Sequence, residues 1–131
     1  MNSPQYRRIL YRSLATGNHG RRDLSPILAV SRLNNGLDGI SGLLWTDGHR
    51  YVQLLEGPPD SVALTFARIA RDPRHEAIEI ADDSVATERV FGDWTMADLA
   101  GGADEDNRER LMAALRDAPA AVRRAFEEAA T

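Results

Sequence analysis

The chain of 131 residues contains no cysteine. A disulfide framework, a thiolate metal site, a thiol nucleophile and any chemistry ending in a covalent bond to a thiol are therefore excluded. Long hydrophobic runs are missing too: nothing approaches the roughly 18 to 20 uninterrupted apolar residues of a membrane helix. The charged start, Met1 to Arg8, has no signal-peptide core behind it, so a soluble cytoplasmic protein with no membrane partner is expected. An excess of positive charge is also lacking. Sixteen Lys and Arg against 20 Asp and Glu leave a net charge of -4, which offers no broad attraction to nucleic acid or anionic lipid. Several standard sites are absent: there is no GxGxxG or GxxxxGK[ST] loop, no HExxH and no GxSxG, and His19, His49 and His75 are too scattered for a metal cluster. No internal repeat is present.

What is there fits one domain with an appendage, long enough to bury about two thirds of its unfolded surface. Residues 6–15 have strand character, with Ile9, Tyr11 and Ser13 on one face and Leu10 and Leu14 on the other. Both faces are largely apolar, as in a central strand. After a polar loop, Asp23 or Ser25 with Pro26 starts a helix whose Leu24, Leu28, Ser31 and Asn35 fall along one stripe and which ends at Gly36. Read alone, Asn35 is a helix cap and Ser13, Ser31 and Ser41 serve packing.

Residues 39–46 and 50–56 read as two strands joined across Asp47-Gly48, a type I′ hairpin signal. In the second arm Tyr51, Gln53 and Leu55 share a face, opposite Val52 and Leu54. Gln53 is an amide among apolar neighbours, and burying it without partners costs about 1 to 3 kcal/mol, so it must be hydrogen-bonded. Pro58-Pro59-Asp60 opens a second helix carrying Val62, Phe66 and Ile69 on one stripe, which Pro73 ends. Ile78 and Ile80 mark a fourth strand, followed by a polar turn toward Val85, and a fifth strand is expected through Trp94 and Met96. Beyond the hinge Ala100-Gly101-Gly102-Ala103, Leu111 with Leu115 and Val122 with Phe126 mark two helices separated at Pro119. Neither stands alone, so both should dock on the exposed sheet face or on another subunit. The expected fold is a ferredoxin-like α+β sandwich, β-α-β-β-α-β(β), with a five-stranded sheet, two helices on one face, and two short C-terminal helices.

A neutral polar set, Tyr11, Asn35 and Gln53, lies on the elements that should surround one cleft between sheet and helices. It suits a planar heteroaromatic ligand with carbonyl and NH edges and is poorly equipped for hydrolysis. Asp72, Arg74 and His75 form the one dense ionisable cluster beside structured elements. They read equally as a solvated turn or as a holder of an anionic or carbonyl-rich ligand.

The segments Ile9-Leu10-Tyr11-Arg12-Ser13, Ser31-Arg32-Leu33-Asn34-Asn35, Gly39-Ile40-Ser41-Gly42-Leu43-Leu44, Gln53-Leu54-Leu55-Glu56-Gly57, Asp72-Pro73-Arg74-His75 and Glu88-Arg89-Val90-Phe91-Gly92-Asp93-Trp94-Thr95-Met96 carry a resemblance. In order and spacing, over residues 6–97, the chain resembles a BLUF domain, a blue-light sensor using flavin. The resemblance implies a non-covalently bound FAD between the two helices, with Ser31 among the residues that bind it. Tyr11 matches the electron and proton donor, and Gln53 the amide between that tyrosine and the flavin. Asn35 matches the residue bonded to the flavin's C4 carbonyl and N3 edge, and Arg74 and His75 the basic pair near the ring's carbonyl side. Trp94 and Met96 match positions whose arrangement changes with signalling.

The resemblance implies that light drives electron and proton transfer from Tyr11 via Gln53, after which a rearranged amide shifts the flavin absorption to the red without a covalent adduct. FMN or riboflavin could also serve, since no adenine-specific motif is present. Trp45 and Tyr51 depart from the family's usual residues, and either competes as an electron donor if it lies near the ring. Residues 1–98 would be the photosensory domain and 99–131 a helical extension. The short, stand-alone members that this chain resembles form homo-oligomers and signal to a separate protein partner. Two other readings stand beside this one: a small ferredoxin-like enzyme acting on an anionic substrate through Arg74 and His75, and a purely structural oligomerisation module.

Overall fold

The computed structural model describes residues 5–15, 39–46, 49–72, 75–90, 97–98 and 105–130. In chain order the elements are β1 (Tyr6–Ala15), β2 (Ser41–Thr46), β3 (Arg50–Gly57), α1 (Pro59–Ala70), β4 (His75–Ala86), β5 (Ala97–Asp98), α2 (Glu105–Arg116) and α3 (Ala120–Ala130). The strands lie side by side as β4-β1-β3-β2-β5. β1 runs antiparallel to both β3 and β4, and β2 antiparallel to β3, as the Asp47-Gly48 signal predicts. The doubly apolar pattern of β1 follows from this central position, covered on both faces.

Two expectations need correcting. Four long strands make the sheet where five were expected; the fifth is a two-residue strand, Ala97–Asp98, parallel to β2 through Leu43 and Leu44. The Ala-Gly-Gly sequence that soon follows has little tendency to prolong a strand. Trp94 and Met96, through which a fifth strand was expected, lie outside the described residues. The polar turn expected after Ile80 is instead strand: β4 continues to Ala86, because β1 offers ten residues of backbone to pair with and an edge strand tolerates polar side chains. Its pairing slips at two bulges, between Leu10 and Tyr11 and between Arg12 and Leu14, and near the second Ala77 adopts φ 55°. The helix expected over residues 23–36 also lies outside the described residues, so α1 is the described helix of that face.

α1 begins where two prolines predict it. Pro58 takes the N-cap position with ψ 137°, Pro59 occupies the first helical residue, and the Val62 N–H donates to the Pro58 carbonyl at 3.0 Å. It ends at Ala70, short of Pro73, since a residue preceding proline disfavours the helical region. Just ahead, Gly57 is required by close approach: a Cβ there would meet the Gly39 carbonyl oxygen at 2.9 Å.

Period-2 alternation sorts the core into two layers. Ile9, Ile40, Leu44 and Leu55 pack with Val62, Phe66 and Ile69 beneath α1. On the other face Leu10, Leu43, Trp45, Val52 and Leu54 pack with Leu115 and Ala118 at the end of α2 and Val122, Phe126 and Ala129 of α3. The C-terminal helices thus dock on the sheet, one of the two placements expected for them.

Candidate functional site

The site grows out of the β1–β3 register. Tyr11 stands directly opposite Gln53, which places both side chains on the α1 face of the sheet. Both are buried, at 3% and 7% exposure, and the Tyr11 phenol donates a hydrogen bond to Gln53 Oε1. The buried amide that the sequence required to be satisfied has this partner. With Oε1 receiving the phenol, the donating end of the carboxamide is its NH₂.

Aromatic groups frame the pair. The Phe66 ring of α1 meets Tyr11 edge-on at 5.6 Å between centroids, and the His75 ring lies 6.2 Å from Tyr11 and 6.1 Å from Tyr51. Burial pushes the Tyr11 phenol well above its ordinary value, and nearby Tyr51 and Asp72 add to the shift, so the phenol is held as a neutral donor.

His75 opens β4 and ties three elements together. Its Nε2 lies 2.5 Å from the Ile69 carbonyl of α1, which can only accept, so Nε2 carries the hydrogen. A neutral imidazole in that form leaves Nδ1 to accept from the Ser13 hydroxyl of β1 at 2.7 Å. Both ring nitrogens are engaged within the protein, an arrangement that lends no support to His75 as a group acting on an anionic substrate. Among the described residues, no group of three or more His, Cys, Asp and Glu side chains could hold a metal ion.

Of the expected site residues, the structure brings Tyr11, Gln53 and His75 to one face. Ser31, Asn35, Arg74, Trp94 and Met96 lie outside the described residues. Sequence reasoning assigned Ser13 to packing, although its place two residues from Tyr11 on one strand face was the available signal. Phe66 was legible as core and not as a site wall. Glu56 and Arg8 were passed over as well. Pairing Tyr11 with Gln53 sets Arg8 opposite Glu56, and both are buried on the reverse face.

The face thus offers a carboxamide, a neutral phenol and aromatic edges. That set fits the carbonyl and NH edge of a planar heterocycle such as a flavin ring, with Gln53 and Tyr11 as the polar contacts and Phe66 as an apolar neighbour.

Comparison with known proteins agrees. A family model described as BLUF, sensors of blue-light using FAD, matches residues 7–97. Photoactivated adenylate cyclase subunit beta of Euglena longa is 33% identical over 94 residues, which are 70% of this chain and 11% of that protein. The blue light- and temperature-regulated antirepressor BluF of Escherichia coli K12 is 29% identical over 85 residues, 64% of this chain and 21% of that protein. The chain therefore spans between about a tenth and a fifth of these curated relatives, and the cyclase named in the first lies on a protein that it matches only in small part. Among solved structures, BlrB in its dark state, a BLUF protein, superposes with a TM-score of 0.65 at 30% identity, over 84% of this chain and 86% of that one. Klebsiella pneumoniae BlrP1 with FMN and cyclic diGMP gives 0.70 at 25% identity, over 82% and 30%.

Proposed function

Because this chain belongs to the BLUF family, sensors of blue light using FAD, we propose that Tyr11 and Gln53 are its photochemical pair and that their hydrogen bond is what light rearranges. The observation that carries this reading is the direct bond between the buried phenol and the buried amide. A flavin bound on that face would supply a blue-light-absorbing ring that, once excited, accepts an electron. Tyr11 would be the donor of that electron and of its phenolic proton, and Gln53, which already accepts that proton's hydrogen bond, is placed to pass it on. On their return to Tyr11 the carboxamide would be left rotated or tautomerised, so that Gln53 presents a changed hydrogen bond to the ring and the absorption shifts to the red.

In this reading Ser31 and Asn35 contribute to flavin binding, with Arg74 and His75 near the ring's carbonyl side. The ligand is FAD, named in the family description; FMN in the BlrP1 structure makes it the first alternative to try. Residues 1–98 act as the photosensory unit and 99–131 as its helical extension, with Trp94 and Met96 at the signalling end. The chain works in the cytoplasm as a homo-oligomer that passes its signal to a separate protein. Among the described residues no helix is long and apolar enough to cross a membrane.

The test is the absorption spectrum of purified protein in the dark and under blue light. Bound flavin with a reversible red shift is expected, and Gln53→Leu should keep the flavin and lose the shift. Protein that binds no added flavin, or a Gln53→Leu variant with a normal photocycle, overturns the assignment.

A further inference from the structure

A second buried polar group lies on the strand that carries Gln53, and the photochemistry above does not use it. Three residues on, facing the opposite side of the sheet, Glu56 is only 1% exposed. Its Oε2 accepts from Arg8 Nε and Nη2, each at 3.4 Å, and from the backbone N–H of Val90 at 2.9 Å. A buried carboxylate is tolerated only where charge and hydrogen bonds compensate it. Two separate parts of the chain contribute to this compensation: β1 supplies a cation, and the segment after β4 supplies a backbone N–H at 2.9 Å.

That segment, Thr87–Val90, is fixed at the ends of three strands. Arg89 places its guanidinium 4.6 Å over the Tyr6 ring of β1 and donates to Ser41 Oγ of β2 at 3.4 Å, and Val90 donates to Glu56 of β3. The Val90 side chain also packs against the core layer shared with the C-terminal helices. Glu56 is central in this arrangement, paired with Arg8 on one side and Ser41 on the other. The connection from β4 at one sheet edge to β5 at the other therefore starts from a point tied to the strand of Gln53.

We propose that Glu56 is a positioning residue whose carboxylate, balanced by Arg8, clamps the segment Thr87–Val90 to β3, so that a hydrogen-bond change at Gln53 is felt in that segment. The coupling to light rests on the photosensor reading; the clamp itself does not. A shift along β3 at Gln53 moves Glu56, and the amide of Val90, bonded to a charged acceptor, follows or releases. The charge makes this bond stronger than an ordinary backbone contact.

Hydrogen–deuterium exchange of the peptide covering residues 87–90, in the full chain with FAD added, separates the two parts. In the dark the wild type should protect this segment, Glu56→Leu should raise its exchange about tenfold, as expected for loss of a hydrogen bond to a charged group, and Glu56→Gln should restore much of the protection because its amide oxygen still accepts from Val90. Under blue light the wild-type segment should change its exchange and Glu56→Leu should not, while both keep the red shift of the flavin. Should Glu56→Leu fail to fold, Val90→Pro deletes the donor N–H, together with the Val90 side-chain packing, and should give the same loss of protection at the remaining amides of residues 87–89. Dark exchange in Glu56→Leu or Val90→Pro equal to wild type overturns the clamp, and a wild-type light response in either variant overturns the coupling. Absence of a red shift in the wild type overturns the photosensor reading and the coupling with it, while the dark measurement still decides the clamp.

Discussion

Tyr11 shows how one residue's chemistry is set by where its strand lies. At 3% exposure its phenol sits well above the ordinary tyrosine value, first through burial and then through Tyr51 and Asp72. A raised value favours the neutral form, so the stability that its hydrogen bond to Gln53 contributes is fully present below the ordinary value of about 10 and is lost only as pH rises through the higher folded value. Tyr11→Phe removes the donor and leaves a buried amide oxygen short of a partner, a loss of about 1 to 3 kcal/mol. Urea unfolding of the two proteins should show that difference, unchanged between about pH 6 and 9 and shrinking only in stronger alkali. The variant should also lose the red shift. A difference that varied across the neutral range would contradict a neutral, buried donor.

At the scale of elements, pairing register does most of the organising. Along β1, alternate residues face α1 and the C-terminal helices, and β4 at the edge adds a surface pair, Arg7 with Asp83, bonded twice at 2.9 and 2.7 Å. The Arg7 hydrogen bonds hold the Asp83 carboxyl below the usual carboxylate range, and the same contact raises Arg7. A lowered value means that the contribution is present above an ordinary carboxylate's pH of about 4 and is lost as acid protonates Asp83. Both side chains are about one third exposed, at 32% and 37%, so solvent screening limits the pair to about 1 kcal/mol or less. Asp83→Asn should therefore destabilise by no more than that in chemical unfolding at neutral pH, and the gap should close in acid and narrow in high salt.

This edge also shows where the sequence was legible and where it was not. β1, the hairpin and α1 announce themselves through alternation, Asp47-Gly48 and Pro58-Pro59, because those signals are local. β4 misled the reading because Asp82, Asp83 and Ser84 are polar for an edge that faces water, and only β1's length shows that they pair. At the site, Tyr11 and Gln53 were matched through the family resemblance, since the β1–β3 pairing that sets them opposite each other joins strands far apart in the chain. Ser13 with His75, and Arg8 with Glu56, depend on pairing between distant strands, which no local pattern encodes.

At the scale of the molecule, the sheet's reverse face and the last two helices share one core layer. Phe126 and Val122 are fully buried against Leu10, Leu54 and their neighbours. This packing runs across the boundary proposed between residues 98 and 99. Phe126→Ala should cost about 3 to 5 kcal/mol, the range for removing a buried aromatic side chain. That is a large share of the 5 to 15 kcal/mol typical of a domain, so the denaturant midpoint should fall steeply. Tyr11, Gln53 and Phe66 lie on the other face, so folded Phe126→Ala protein should keep its flavin and its red shift. A loss below about 1 kcal/mol, a cost typical of surface rather than core substitutions, would mean that α3 leaves the sheet in solution and that the reverse face is covered some other way.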